Sequence, residues 1–124
     1  MKEETCPCCK VDRELIGESK LSFAIFDKYP VSEGHALIIA KRHVSEYFDL
    51  EPEEVKDIWE LVAEIKSILQ SKYHPDGFNV GFNIGLAAGQ TIDHVHIHII
   101  PRYSGDMDDP TGGVRHVIPE KGKY

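Results

Sequence analysis

The chain has 124 residues, of which 41% are hydrophobic and 28% charged, and its formal net charge is −7. This length predicts one domain that can bury a core, and the negative charge argues against general nucleic-acid binding, which needs a basic face. No apolar run approaches the roughly 18 residues that span a membrane, and residues 1–6 lack the apolar core of a signal peptide, so we expect a cytoplasmic protein that does not bind membranes.

The first feature along the chain is a group of three cysteines, Cys6, Cys8 and Cys9. An odd number of clustered cysteines disfavours a disulfide framework. Cys6 and Cys9 have the C-x-x-C spacing of half a zinc site, which needs two further ligands from elsewhere in the chain. Free surface thiols are one alternative; a redox dithiol is another, although no thioredoxin-like pattern surrounds the motif.

Residues 21–27 and 35–40 read as two strands joined by a turn, which predicts an antiparallel pair. A short helical segment follows at 45–50, and the main helix begins at Pro52, with Glu53 and Glu54 near the positive end of its dipole. Apolar residues then recur at helical spacing and predict a core stripe: Val55, Ile58, Trp59, Val62, Ile65 and Leu69.

A third strand is predicted at 78–84, after a loop that contains His74. Residues 85–91 form a loop of small residues, which lets the backbone approach a ligand and offer its N–H groups to phosphate oxygens. The tail that follows the last strand is acidic and rich in loops, with one short extended piece. Within it, Arg115 or His116 either reaches a substrate or is an exposed loop residue.

His94, His96 and His98 alternate with aliphatic residues in 94–100. Read as a strand, this segment places the three imidazoles on one face and the aliphatic side chains on the other. The first and third imidazoles would lie about 13 Å apart, too far to share one ion at bonds of about 2 Å. A row of imidazoles suits nucleophilic catalysis better, because neighbouring rings supply hydrogen bonds and protons to a neutral nucleophile.

Segment 94–100 resembles the signature of the histidine triad family, His-x-His-x-His followed by two apolar residues. Segments 21–27, 34–39 and 89–91 resemble other blocks of that family in order and spacing. The resemblance implies an α+β fold, with an antiparallel sheet of about five strands and one long helix. It also implies a single domain over 1–124, with a cysteine-rich segment 1–15, a flexible tail 104–124, and a homodimer that extends the sheet or packs the long helices together.

The resemblance further implies hydrolysis or transfer of a nucleoside monophosphate from a purine nucleotide conjugate. His96 would attack the α-phosphorus and form a nucleotidyl-histidine, while His98 would bind the phosphate oxygens and protonate the leaving group. The remaining implied site residues are His94 of the triad, His35 behind it, Asp27 at the ribose, and Asn83, Gly89, Gln90 and Thr91 along the phosphates.

Two polar positions point to different branches of the family. Asn83 resembles the phosphoramidase branch, whereas Gln90 and Thr91 resemble the dinucleotide hydrolases, so both substrates stay open. A nucleotide-binding regulator with negligible turnover is the alternative from another class, and a purely structural zinc module is a third.

Some bacterial members of the family look similar at the cysteine motif. By that resemblance Cys6, Cys9, His43 and His94 would hold a structural zinc ion, with no position open for water. Cys8 is then a spare thiol or takes the place of Cys9. The alternative is free cysteines and an unliganded His43.

Overall fold

Alternating aliphatic residues build an antiparallel sheet in the computed structural model, which describes residues 6–9 and 11–124. The described strands are β1 (Gly17–Glu18), β2 (Ser22–Phe26), β3 (Ala36–Ala40), β4 (Gly77–Gly81) and β5 (His96–Arg102). Their spatial order is β1-β2-β3-β5-β4, and every neighbouring pair is antiparallel. The predicted α+β fold with one long helix is therefore confirmed.

Helix α1 (Pro52–Tyr73) covers one face of this sheet. The core forms between the helix and the inward residues of the central strands, which include Ala36, Ile38, Ile97 and Ile99. Within the predicted helical stripe, Ile58, Val62, Ile65 and Leu69 are buried, Val55 and Trp59 are half-buried, and Leu61 is an additional core residue. The opposite face of the sheet is left to the imidazoles of β5.

The start of α1 is tied to the loop that follows β3. The Glu51 backbone N–H donates to Glu54 Oε1 at 2.8 Å, which satisfies one end group of the helix. Arg42 donates to both carboxylate oxygens of Glu54, at 3.1 and 2.7 Å. The Glu54 side chain is buried, with 4% of its surface exposed. Through its pair with Arg42, it joins the start of the helix to the segment that carries His43.

Several element boundaries differ from the predictions. β5 begins at His96 and not at 94, because Val95 leaves the ladder: its N–H donates to Val44 O, while its carbonyl accepts from Ala40 N. β4 spans Gly77–Gly81 and not 78–84, since its pairing with β5 ends at the Gly81–His98 pair. The fifth strand, β1, was not located from sequence, and it is only two residues long.

The other differences concern short segments. Segment 45–50 holds a 3₁₀ turn at Tyr47–Asp49, and the tail holds 3₁₀ turns at Gly113–Val117 and Pro119–Lys121 in place of the expected extended piece. Residues 1–5 and 10 of the predicted segment 1–15 lie outside the described residues. None of the helices in the described ranges has the length and apolar composition needed to cross a bilayer.

Candidate active site and metal cluster

A chain of hydrogen bonds fixes the proton on each imidazole behind the triad. The Val31 backbone N–H donates to His35 Nδ1 at 3.1 Å. A backbone N–H can only donate, so Nδ1 of His35 is an acceptor and the proton of the neutral ring lies on Nε2. His35 Nε2 is 3.0 Å from His98 Nδ1, and His35 therefore donates to His98. The proton of neutral His98 is then on Nε2.

His96 has the opposite tautomer to His98. Its Nδ1–H donates to the His94 backbone carbonyl at 2.7 Å, which leaves the lone pair on Nε2. The rings of His96 and His98 lie 5.3 Å apart between centroids. The structure thus pairs an imidazole that can attack through Nε2 with an imidazole that can donate a hydrogen bond from Nε2.

Burial keeps the His98 and His35 rings neutral. It is the main reason why the pKa of His98 is lowered to about 4, and the neighbouring His96 and His35 rings lower it further. Burial also lowers the pKa of His35. Both rings are therefore uncharged near neutral pH and are available for the hydrogen bonds just described.

Asp27 follows β2 and lies beside these rings. One carboxylate oxygen, Oδ1, accepts the Tyr29 backbone N–H at 2.8 Å. The other, Oδ2, is 3.4 Å from His35 Nε2 and 4.0 Å from His98 Nδ1. Asp27, His35 and His98 offer carboxylate and imidazole groups, which can bind a metal ion. However, His35 Nε2 holds a proton that a metal ion would have to displace. A hydrogen-bonded relay fits the geometry better.

The third triad histidine lies in a different environment. His94 is fully buried, and its ring packs against His43 at 4.9 Å between centroids. Its Nδ1 is 3.3 Å from Cys6 Sγ and 3.4 Å from Cys9 Sγ, and His43 Nδ1 is 3.3 Å from Cys9 Sγ. The structure therefore brings together all four sequence-predicted metal ligands, with ligand atoms within 4.8 Å of one another.

The chemistry of this four-residue cluster fits zinc. A tetrahedral zinc ion with sulfur at about 2.3 Å and nitrogen at about 2.0 Å separates these ligand atoms by roughly 3.6 Å, close to the distances found. His94 Nε2 donates to Ala40 O at 2.7 Å, so its Nδ1 presents a lone pair to the cysteines, as a metal-ligating histidine does. Burial raises the pKa of Cys6, and a cation among the thiolates would offset that cost.

Cys8 is not among the four residues whose ligand atoms converge. Its side chain is buried beside Ile25 and Ile39 in an apolar cluster that Cys6 shares. Burial raises the pKa of this thiol to about 12, and the neighbouring Cys6 and Cys9 raise it further. The Cys8 thiol thus lies outside the four-residue cluster of Cys6, Cys9, His43 and His94.

The loop before the triad is held by Gln90. Its Oε1 accepts the Gly85 N–H at 3.0 Å, and its Nε2 donates to Ser45 O at 2.7 Å and to Ile92 O at 3.1 Å. Gly85 and Gly89 have φ values of 85° and 93°, which favour glycine. The Gln90 amide therefore braces the loop, whereas Asn83, Gly89 and Thr91 are exposed at its surface.

In the tail, the structure separates Arg115 from His116. The Arg115 guanidinium donates to Gly122 O and Lys121 O and lies 4.9 Å from the Tyr124 ring centroid, so it holds the tail together. His116 lines a cavity that His35 and His98 also line.

The sequence did not predict the role of Val31, whose backbone N–H sets the His35 tautomer. A backbone donor leaves no signal in the residue type.

Comparison with known proteins agrees with this geometry. The HIT domain model matches residues 9–105. The chain is 40% identical over 96 residues to the bis(5'-adenosyl)-triphosphatase of Dictyostelium discoideum, covering 77% of this chain and 64% of that protein. It is also 40% identical over 96 residues to the adenosine 5'-monophosphoramidase of Schizosaccharomyces pombe, covering 77% and 65%. The chain therefore spans less than two thirds of the length of either relative.

Two solved structures have a similar fold. A HIT family protein from Bacillus anthracis has a TM-score of 0.78 and 34% identity, covering 83% of this chain and 77% of that chain. A zinc-bound histidine triad family protein from Mycobacterium smegmatis has a TM-score of 0.69 and 35% identity, covering 74% and 67%. With the triad geometry, these matches show that the chain belongs to the histidine triad family.

Proposed function

We propose that the chain hydrolyses purine nucleotide conjugates at the α-phosphate, with dinucleoside polyphosphates or adenylyl phosphoramidates as substrates. The observation that carries this proposal is the pair of opposite tautomers, since His96 has its lone pair on Nε2 and His98 has its proton on Nε2. The two relatives are named for a triphosphatase and a monophosphoramidase activity, which supports the same substrate classes.

In the first step, His96 Nε2 attacks the α-phosphorus, and the bond from phosphorus to the leaving group breaks. His98 Nε2–H donates a hydrogen bond to the phosphate oxygens and stabilises their developing charge, and a nucleotidyl-histidine remains. A phosphate leaving group departs as an anion, whereas an amine leaving group takes a proton from water. Water then attacks phosphorus, the phosphorus–nitrogen bond breaks, His96 Nε2 recovers its lone pair, and the nucleoside monophosphate leaves while the proton of the attacking water passes to solvent. The N–H groups of Gly85, Ala88, Gly89 and Gln90 already donate within loop 85–91, so the developing charge would be stabilised by the other N–H groups of this loop.

The nucleoside half would lie over β2 and β3. A cavity of about 510 Å³ opens there, lined by Ile25, Leu37 and Ile39 among others, and an apolar cleft of this kind accepts a purine ring. Asp27, at the end of β2, would bind the ribose hydroxyls through its carboxylate.

A turnover screen with trapping of the intermediate tests this function. Wild type should release AMP from diadenosine triphosphate or from adenosine 5'-phosphoramidate, and quenched samples should contain a chain heavier by one adenylyl group. His96→Ala should lose both signals. If the wild-type chain binds nucleotide by calorimetry but releases no product over hours, the regulator is the better description; a chain that binds no nucleotide would favour the structural module.

We further propose that Cys6, Cys9, His43 and His94 hold a structural zinc ion, which would join the N-terminal segment to the sheet. The distances in the cluster and the zinc-bound relative support this proposal. Protein purified without chelator, with its thiols reduced, should contain close to one zinc per chain, and Cys6→Ser should lose it and melt at a lower temperature. Less than about a tenth of an equivalent in the wild type would contradict the site.

The remaining organisation is also a proposal. We infer one domain over 1–124, with a cysteine-rich segment 1–15 and a flexible tail 104–124, working as a homodimer. Three cysteines clustered at Cys6, Cys8 and Cys9 disfavour a disulfide framework, which supports a reducing compartment such as the cytoplasm.

A further inference from the structure

The segment between β2 and β3 carries the backbone donor that sets the tautomers of two rings. Residues 27–35 join these strands, and within them the Val31 N–H donates to His35 Nδ1 at 3.1 Å. The Val31 side chain is 72% exposed, so it contributes little packing that would keep this N–H in place. The position of the donor therefore depends on other contacts of the turn.

Ser32 bonds this turn to the triad strand. Its hydroxyl donates to the Pro101 carbonyl at 2.6 Å, and Pro101 lies on β5, three residues after His98. A proline has no N–H to give to a neighbouring strand, and the ladder between β3 and β5 ends at the Ala36–Ile99 pair. The Ser32 hydroxyl therefore takes a carbonyl that lies beyond the end of this ladder.

Two backbone contacts close the turn around Ser32. The Ser32 carbonyl accepts the His35 backbone N–H at 3.2 Å, and the Tyr103 hydroxyl donates to the Glu33 carbonyl at 2.7 Å. Among the described residues 28–34, Ser32 is the one whose side chain donates a hydrogen bond to β5. Ser32 is thus the direct connection between the Val31 donor and the strand that carries His98.

A displaced Val31 N–H would allow a second arrangement of protons. His35 would then hold its proton on Nδ1 and accept at Nε2 from His98 Nδ1–H, across the same 3.0 Å contact between the rings. In that arrangement His98 Nε2 carries a lone pair, which repels phosphate oxygens instead of donating to them. The Val31 contact therefore selects the productive one of two forms of the same pair.

Asp27 is the competing influence on these protons. Its Oδ2 lies 3.4 Å from His35 Nε2 and would also favour a proton on that nitrogen. This separation exceeds the roughly 2.7–3.2 Å of an ordinary N–H···O bond, whereas the Val31 N–H lies within bonding distance of His35 Nδ1. The hydrogen bond from the turn is therefore the better formed of the two contacts.

We propose that Ser32 is a positioning residue for the triad: through its bond to Pro101 O, it keeps the Val31 N–H on His35 Nδ1 and so keeps the proton of His98 on Nε2. These tautomers exist with or without substrate. The role of Ser32 can therefore be tested apart from the proposed hydrolysis.

Three serine variants test this role. Ser32→Ala removes the bond, at a cost of about 1 kcal/mol, which is too small to unfold a domain. Ser32→Thr keeps a hydroxyl in its place. Ser19→Ala is the matched control, because the Ser19 hydroxyl also donates to a backbone carbonyl, that of Ser22 at 3.2 Å, but at the opposite end of β2 from the turn.

The first readout is the position of the protons in protein labelled with ¹⁵N at histidine. Protonated and unprotonated nitrogens of a neutral imidazole give separate ¹⁵N signals, which are assigned from spectra of His35→Asn and His98→Asn. Near neutral pH, wild type, Ser32→Thr and Ser19→Ala should carry the protons of both rings on Nε2. Ser32→Ala should show Nδ1–H as a substantial fraction on both rings.

The second readout is amide hydrogen exchange at Val31, the donor itself. We expect Ser32→Ala to speed this exchange by roughly tenfold or more relative to wild type, and Ser19→Ala to leave it within about twofold.

Turnover relates the protons to the reaction. We expect Ser32→Ala to lower kcat/KM for diadenosine triphosphate by roughly tenfold, and Ser32→Thr to restore most of it. If wild type cleaves no substrate, the proposed function fails, and the ¹⁵N signals still decide the role of Ser32.

Two results would overturn the inference. An unchanged ¹⁵N pattern in Ser32→Ala, whatever its kcat/KM, would leave Asp27 as the group that fixes the protons. An equal change of pattern in Ser19→Ala would show that general loosening of the sheet, and not the bond to Pro101 O, moves them.

Discussion

At His35, one backbone contact determines the proton positions of two rings. The Val31 N–H makes His35 Nδ1 an acceptor, and the resulting Nε2–H makes His98 Nδ1 an acceptor in turn. A protonated His98 would need a second proton on Nδ1, where His35 Nε2–H already points. The cationic form of His98 is therefore disfavoured by its hydrogen bond as well as by burial, in agreement with a pKa of about 4.

This pKa predicts a loss of stability in acid. His98 takes up a proton near its ordinary pKa of 6.5 when unfolded but only near 4 when folded. The unfolded state thus binds more protons between these values, and stability falls as the pH falls through that window. From pH 7 to pH 5, His98 alone should contribute about 2 kcal/mol of this loss.

His98→Asn removes the titration and keeps an acceptor near the Nδ1 position. Urea unfolding at the two pH values should show that the variant loses less stability between them than wild type, with His35 still contributing. An equal loss in both proteins would contradict the assignment of the shift to His98.

A second residue-scale prediction concerns Gln90. Gln90→Glu has the same shape but replaces an amide that donates to two carbonyls with a carboxylate oxygen that faces them. We expect loop 85–91 to loosen and kcat/KM to fall by roughly tenfold or more. Hydrogen exchange should quicken at the loop amides. Gln70→Glu, which loses one amide bond to Pro75 O at the end of α1, should leave both measurements close to wild type.

At the scale of elements, the pair of Arg42 and Glu54 joins the start of α1 to the segment that carries His43, one residue of the four-residue cluster. Glu54→Gln weakens a charge-assisted pair in which the carboxylate is buried and the Arg42 guanidinium is exposed, and it should lower the free energy of unfolding by about 1–2 kcal/mol. Glu53→Gln, exposed in the same turn, is the control and should change it much less. A similar small loss in both variants would show that the Arg42 pair contributes little.

Hydrophobic periodicity predicted the long helix and the strands β2 to β5, because each of them buries a face set by local sequence, but it did not locate β1. It did not predict that β5 starts at His96, since that boundary depends on Val95 pairing with Val44 and Ala40, distant in sequence. The residue types and the family resemblance were enough to name the four cluster residues. They could not show the bracing role of Gln90 or the bond from Ser32 to Pro101 O, because both depend on how loops pack against the sheet.

At the scale of the whole molecule, the two edges of the sheet differ. β1 is only two residues long, and its Glu18 forms an ion pair with Lys41 at 2.6 Å. A short, charged edge strand disfavours pairing with a further strand. β4 has five residues, none of them charged. An uncharged edge of this length can accept a further strand.

We therefore expect the chain to form a dimer in which two copies of β4 pair. Light scattering should give a mass near twice the 14.0 kDa of one chain. Hydrogen exchange should slow at β4 amides as protein concentration rises. A mass near 14.0 kDa at high concentration would contradict this assembly.

The position of His94 implies an order of maturation for the newly made chain. Its ring lies in the cysteine cluster, while its carbonyl accepts the proton of His96 Nδ1. If zinc is the ion of this cluster, a chain that has not yet bound zinc would not fix the His94 carbonyl, and the His96 ring would be poorly oriented. The chain would then become active only after the N-terminal segment binds zinc together with His43 and His94. Stopped-flow addition of zinc to metal-free protein should then show a lag in turnover whose rate constant equals that of metal uptake followed by absorbance with cobalt or by a zinc indicator.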